Sequence, residues 1–137
     1  MYLEHINLVV SHLPRALTFY QAAFPHWKIR CSGSDSWNGR ARNWLHFGDD
    51  NQYIALSDHG TDPARDLSGY QIGLAHFGYV VNNLASLINR MNAAGFNADM
   101  GSNTHPYRKN AYFIDPDGFE VEFIEYSSDL PAERNSD

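Results

Sequence analysis

Near the start of the chain, Ile6, Leu8 and Val10 interleave with His5, Asn7 and Val9. That two-residue period predicts a strand over 2–10. The period then lengthens. Leu13, Leu17, Tyr20 and Phe24 follow helical spacing, with Ser11 as a capping residue and Pro14 tolerated in the first turn. Phe24-Pro25 ends that helix. Trp27 to Cys31 predicts a second strand, and the small, polar stretch from Gly33 to Gly39 a loop. Two more strands are expected at 41–47 and 52–57, joined by Gly48-Asp49-Asp50-Asn51.

Gly60, Asp62, Pro63, Asp66 and Gly69 mark a linker at about 59–70. A second pattern follows it. A strand is predicted over 73–81, then a helix capped by Asn82 or Asn83, carrying Leu84, Leu87, Ile88 and Met91 and closed by Gly95. Residues 97–100 predict a short strand and 101–110 a loop. A hairpin is expected from 111–115 and 119–126, turned by Asp115-Pro116-Asp117-Gly118. Residues 127–137 read as a polar, frayed tail.

The second pattern repeats the first. When His5 is laid on His76, Val9 falls on Val80, Val10 on Val81, Leu13 on Leu84 and Leu17 on Ile88, all at one offset. Phe47 to Leu56 parallels Phe113 to Phe123 with one residue of slippage. The frame runs from strand into helix, so the chain reads as one α+β domain over 1–126. Its first module spans about 1–58 and its second about 71–126.

Composition narrows the partners. A chain of 137 residues that is 43% hydrophobic buries a core without disulfides or structural metal. The net charge of −6 comes with no basic run, which excludes the electrostatic footprint of a nucleic-acid or anionic-membrane binder. The lone Cys31 forbids an intrachain disulfide. The start lacks a basic stretch followed by a long apolar run, and no apolar run approaches the ~20 residues that span a bilayer. A soluble, cytoplasmic protein is expected.

The candidate chemistry lies on the polar sides of three strands. His5 and Asn7 oppose Ile6, Leu8 and Val10. His76 and Gly78 oppose Phe77, Tyr79 and Val81. Glu120 and Glu122 oppose Phe119, Val121 and Phe123. If the sheet curves into a cup, two imidazoles and a carboxylate point into it. Neutral imidazole and carboxylate suit divalent Fe, Mn, Ni, Co or Zn, and three such ligands leave positions open for a substrate.

His5-Ile-x-Leu-x-Val, His76-Phe-Gly-Tyr-Val-Val and Tyr112-Phe-Ile-Asp-Pro-Asp-Gly-Phe-Glu-Val-Glu together resemble the vicinal oxygen chelate superfamily over about residues 1–126. That group includes glyoxalase I, fosfomycin resistance proteins, extradiol dioxygenases and bleomycin-binding proteins. The resemblance implies two βαβββ modules forming a curved, cup-like mixed sheet. It implies one divalent ion held by His5, His76 and Glu122, and a small substrate that chelates through adjacent oxygens. It also implies a homodimer, because short-chain members often share ligands between two chains. Tyr112, ten residues ahead of Glu122, takes the place of a Tyr that assists the bound substrate.

The departures point away from some members. Glyoxalase I adds a fourth ligand, a Glu, in the strand equivalent to 52–57. Pseudo-symmetry with Glu122 puts Ala55 there, and Ala neither binds metal nor moves a proton. Gln52 lies on the other strand face. Asn7 stands where fosfomycin resistance proteins carry Thr. His105 is a candidate for the extra His of extradiol dioxygenases. Trp44, Tyr107 and Arg108, with Trp37 and Arg40, are candidates to line or lid a pocket. The remaining histidines, His12, His26, His46 and His59, receive no role. The reading is a metal-dependent enzyme closer to dioxygenase or addition and lyase chemistry than to glyoxalase I. Its rivals are a metal-free drug- or metabolite-binding protein, a glyoxalase-like lyase or isomerase, and an accessory subunit with a vestigial site.

Overall fold

A computed structural model of the chain describes residues 1–101 and 104–136. The chain divides into two units, Met1–Pro63 and Ala64–Asp137. The first contains β1 (His5–Val9), α1 (Leu13–Ala23), β2 (Lys28–Trp37), β3 (Arg40–Gly48) and β4 (Tyr53–Ser57). These strands form one mixed sheet in the order β1-β4-β3-β2, with β1 parallel to β4 and the other pairs antiparallel. The second unit contains β5 (His76–Val80), α2 (Leu84–Ala93), β6 (Arg108–Ile114), β7 (Glu120–Tyr126) and a short α3 (Pro131–Arg134). Its sheet runs β5-β7-β6, again with the outer strand parallel and the hairpin antiparallel. Strand followed by helix in each unit, with a parallel return, is the α+β repeat expected from the offset.

Each helix buries one stripe on one sheet face. Leu13, Ala16, Phe19, Tyr20 and Ala23 of α1 are buried and pack on β3 and β4. They meet a layer that includes Leu45, Phe47, Ile54 and Leu56. In the second unit, Leu84, Leu87 and Met91 of α2 pack on β6 and β7, where Ala111, Phe113, Val121 and Phe123 are buried. Each such side chain contributes roughly 1.5–3 kcal/mol when fully buried. Packing against the helices leaves the opposite sheet faces for polar groups.

The helix caps differ in detail. His12, rather than Ser11, caps α1, its Nδ1 accepting the Arg15 amide at 3.3 Å. Asn83 caps α2 through the Ser86 amide at 2.8 Å. The Glu125 carboxylate takes the Leu84 amide at 2.6 Å, which places negative charge at the helix N-terminus.

Four local expectations are corrected. Residues 33–37 are strand, not loop, and β2 pairs with β3 as far as Trp37–Arg40. The turn between them is Asn38-Gly39, with φ of 49° and 78°. Positive φ at both residues matches the right-handed twist of a hairpin. Residues 97–100 form only a bridge, in which Asp99 and Tyr112 exchange backbone hydrogen bonds of 2.8 and 2.7 Å. Asp99 Oδ1 then accepts the Gly101 amide, and Gly101 turns the chain away at φ 55°, so the second sheet has three strands. The expected loop at 101–110 gives way to β6 at Arg108, and its residues 102 and 103 lie outside the described residues. The tail holds α3, with the Ser128 and Glu133 side chains bonded to each other.

Among the described residues no helix is long and apolar enough to cross a membrane.

Candidate metal and substrate sites

In the second unit β7 is the central strand, so each of its residues has a partner on both sides. His76 and Ile114 flank Glu120, while Gly78 and Tyr112 flank Glu122. Val121 and Phe123 point into the core, which turns Glu120 and Glu122 to the other face. There the Tyr112 hydroxyl donates to Glu122 Oε1 at 2.7 Å, and Asn110 Nδ2 donates to the same oxygen at 2.8 Å. The second oxygen, Oε2, stands 3.4 Å from His76 Nε2. His76 Nδ1 lies 3.6 Å from Glu120 Oε1, and the His76 ring meets the Tyr112 ring edge-on at 5.8 Å.

This arrangement divides the Glu122 carboxylate between two tasks. Two donors fix Oε1, and Oε2 is left beside an imidazole nitrogen. A carboxylate oriented by neighbours and next to a His is the donor set that a divalent ion takes. Gly78 adjoins this carboxylate: a Cβ there would make ordinary contact, 3.4 Å from Ile124 Cδ1 and 3.6 Å from Glu122 Oε2. Burial, and then the hydrogen bond to Glu122, raise the Tyr112 phenol above its usual 10. Tyr112 therefore stays protonated and remains a donor at neutral pH.

The first unit carries a matching grid. The His5 ring stacks on Tyr53 at 4.7 Å, and its Nδ1 lies 3.0 Å from Glu4 Oε2. His46 stacks on the same Tyr53 ring at 4.4 Å, and the Arg30 guanidinium sits 4.7 Å from the ring centre. Ala55 pairs with Asn7 on one side and His46 on the other. The register thus gives Ala55 the position between neighbours that Glu122 holds between Gly78 and Tyr112. His46 correspondingly holds the place of Tyr112. Beside Ala55 lies a cavity of about 240 Å³, bordered by Asn7, Asp35, Arg42, Trp44, His46 and Ser57.

The sequence-predicted residues fall into three places. His76, Glu122 and Tyr112 come together in the second unit. Asn7, Trp44 and Ala55 border the cavity of the first unit. His5 lies in the same unit but not on that cavity, stacked on Tyr53. His105, Tyr107 and Arg108 lie at the start of β6. There His105 Nδ1 accepts the Tyr107 amide at 3.1 Å, and Nε2 meets the Ser136 carbonyl at 2.8 Å. The amide donation to Nδ1 puts the ring proton on Nε2, so the imidazole ties the tail to the loop. Arg108 pairs with Tyr126 in the β6–β7 ladder. Trp37 lies under the Arg42 guanidinium at 4.8 Å, next to the hairpin turn that Arg40 closes. Among the described residues no three His, Cys, Asp or Glu side chains gather as a metal-binding group.

Sequence reasoning missed Asn110 and His46. Asn110 precedes Tyr112 by two residues and so shares its face, a signal the period supplied. The hairpin alignment within the repeat sets His46 against Tyr112, and that frame was the available signal for it.

Residues 2–123 match the family profile described as the Glyoxalase/Bleomycin resistance protein/Dioxygenase superfamily. No curated protein sequence matches the chain. Solved structures share the fold. A glyoxylase/bleomycin resistance protein/dioxygenase domain from Frankia sp. EAN1pec is 20% identical, with a TM-score of 0.74 over 99% of this chain and 98% of that one. A mutant of the fosfomycin resistance protein FosX from Listeria monocytogenes, solved with Mn(II) and 1S,2S-dihydroxypropylphosphonic acid, is 17% identical. Its TM-score is 0.73 over 98% of each chain. A glyoxalase family protein from Enterococcus faecalis is 20% identical, with a TM-score of 0.71 over 90% of this chain and 97% of that one.

Proposed function

The chain belongs to the Glyoxalase/Bleomycin resistance protein/Dioxygenase superfamily, and on that premise we propose that it is a divalent-metal-dependent enzyme acting on a small molecule with two adjacent oxygens. The observation that carries the reading is the Glu122 carboxylate, held on one oxygen by Tyr112 and Asn110 and facing His76 with the other. His5, His76 and Glu122 are the ligands in this reading. The ion, when bound, supplies Lewis acidity toward the chelated substrate. The FosX relative was solved with Mn(II), which supports divalent metal use in this fold.

The protein's own groups set the rest of the chemistry. Tyr112 holds its proton on the phenol oxygen and orients Glu122. In this reading its one O–H turns from Glu122 to donate to a substrate oxygen beside that carboxylate. Asn110 keeps Oε1 occupied if Tyr112 turns to the substrate. Ala55 provides no carboxylate to shuttle a proton, so the reading favours dioxygenase-like or addition and lyase reactions over glyoxalase I. His5 belongs to the first unit, and His76 and Glu122 to the second. The reading is a cytoplasmic homodimer whose sites take His5 from one chain and the other two ligands from its partner.

The test is turnover by metal-loaded protein against two substrate sets. One is catechols with oxygen uptake, and the other is epoxides with thiol or water as nucleophile. The reading expects turnover in one set and its loss in His76→Ala with the fold intact. Turnover that survives His76→Ala contradicts it. The cavity of the first unit supports a second reading, a metal-free protein that sequesters a small molecule. Tight ligand binding by protein that takes up no ion favours that reading.

A further inference from the structure

We propose that the cavity of the first unit accepts an uncharged, single-ring aromatic group bearing a hydroxyl, with Ser57 as the residue that reads the hydroxyl. This names a substrate class for the pocket of the proposed enzyme and rests on that reading.

Ser57 is 2% exposed, and its Oγ has no hydrogen-bond partner among the described residues. A buried hydroxyl left unpaired costs about 1–3 kcal/mol. Ser57 borders the cavity, so a partner reaches it from a guest. The strand registers explain the hollow. Along β4, Ala55 and Ser57 share a face, and Ser57 pairs with Trp44, which pairs in turn with Gly33. Small residues thus alternate with rings. Trp44 lies flat over Gly33, where a Cβ would come within 2.8 Å of its ring. The Trp44 and His46 rings stand 5.2 Å apart and make an aromatic wall.

The charges at the cavity cancel. Arg42 Nε donates to Asp35 Oδ1 at 2.6 Å and its Nη2 to Oδ2 at 3.2 Å, so the guanidinium fork is already engaged. Burial holds His46 below its usual 6.5, which keeps it neutral at pH 7. An anion entering here finds no free cation on the wall, unlike a guest that offers a ring and one hydroxyl. Size sets the remaining limit. The volume of about 240 Å³ is below the ~300–1,000 Å³ of drug-sized pockets. It exceeds the ~150 Å³ that holds a benzene ring.

The test uses full-length protein with and without EDTA, titrated with 4-methylphenol, toluene and methylphosphonate and followed by amide NMR shifts. Saturable shifts at Ser57, Ala55 and Trp44 are expected with 4-methylphenol in both conditions. Ser57→Ala should weaken 4-methylphenol by about 3- to 10-fold and leave toluene unchanged. Trp44→Ala should weaken both, and Trp44→Phe should restore toluene. Methylphosphonate binding the same residues more tightly overturns the inference. So does a Ser57→Ala protein, folded by circular dichroism, that binds 4-methylphenol as the parent does, because the hydroxyl then meets only water. If 4-methylphenol fails while the ion still binds, the pocket assignment falls and the metal reading stands. If 4-methylphenol binds and no ion does, the metal reading falls.

Discussion

Tyr112 and Glu122 face each other across the β6–β7 hairpin as direct register partners, and the phenol donates a 2.7 Å hydrogen bond to the carboxylate. Because burial and this bond both hold the proton on Tyr112, its phenol should ionise above pH 10 in an ultraviolet titration. Glu122→Gln should bring that midpoint down. Tyr112→Phe should leave metal stoichiometry intact, since Asn110 still holds Oε1, and should lower turnover by about 10²-fold or more.

Gly78 is the register partner of Glu122 on the other side of the strand. A Cβ there already reaches ordinary contact with Ile124 Cδ1 and Glu122 Oε2, so the two further methyl groups of Gly78→Val need space beside that carboxylate. Metal affinity measured by calorimetry should fall at least about tenfold, a loss of roughly 1.4 kcal/mol. Unchanged affinity would separate Glu122 from the ion.

Most of the fold was legible because the repeat carried it. His5 and His76 open equivalent strands, and the apolar positions of α1 and α2 share one frame. The grouping of side chains in the second unit was legible for the same reason: Glu122 lies on the strand face opposite buried Val121, and His76 on the face opposite half-buried Phe77. The 33–39 stretch was misread because its polar composition hid a strand that is exposed along almost its whole length. Asn38-Gly39 was the better signal, since that pair favours positive φ at both positions. His46 was missed because no local pattern marks it; only the repeat frame, which sets it against Tyr112, does.

The same turn gives a stability prediction. Gly39 sits at φ 78°, so Gly39→Val should cost about 1–2 kcal/mol in urea unfolding. An unchanged midpoint would contradict the turn geometry.

His46 should also show in the pH dependence of stability. Burial depresses its folded pKa below 6.5, so the unfolded chain takes up this proton first as pH falls. Its contribution to stability is whole above 6.5, is lost as pH drops through the window toward the folded value, and then levels off. His46→Asn should remove that part of the slope. An imidazole NMR titration should give a His46 midpoint below 6.5.

The proposed sharing of ligands between two chains has its own test. A refolded mixture of His5→Ala and His76→Ala chains should regain metal that neither variant binds alone, because a mixed dimer rebuilds one complete site. A mixture that stays empty contradicts ligand sharing between chains.

The most direct measurement is the metal content per chain of untagged protein, purified without chelators and analysed by elemental mass spectrometry. The His5→Ala, His76→Ala and Glu122→Gln variants are run beside it. The account predicts about one divalent ion per chain in the parent and little in each variant. A parent that stays empty after incubation with Fe, Mn, Ni, Co and Zn in turn, or a His76→Ala chain that keeps its ion, would contradict it.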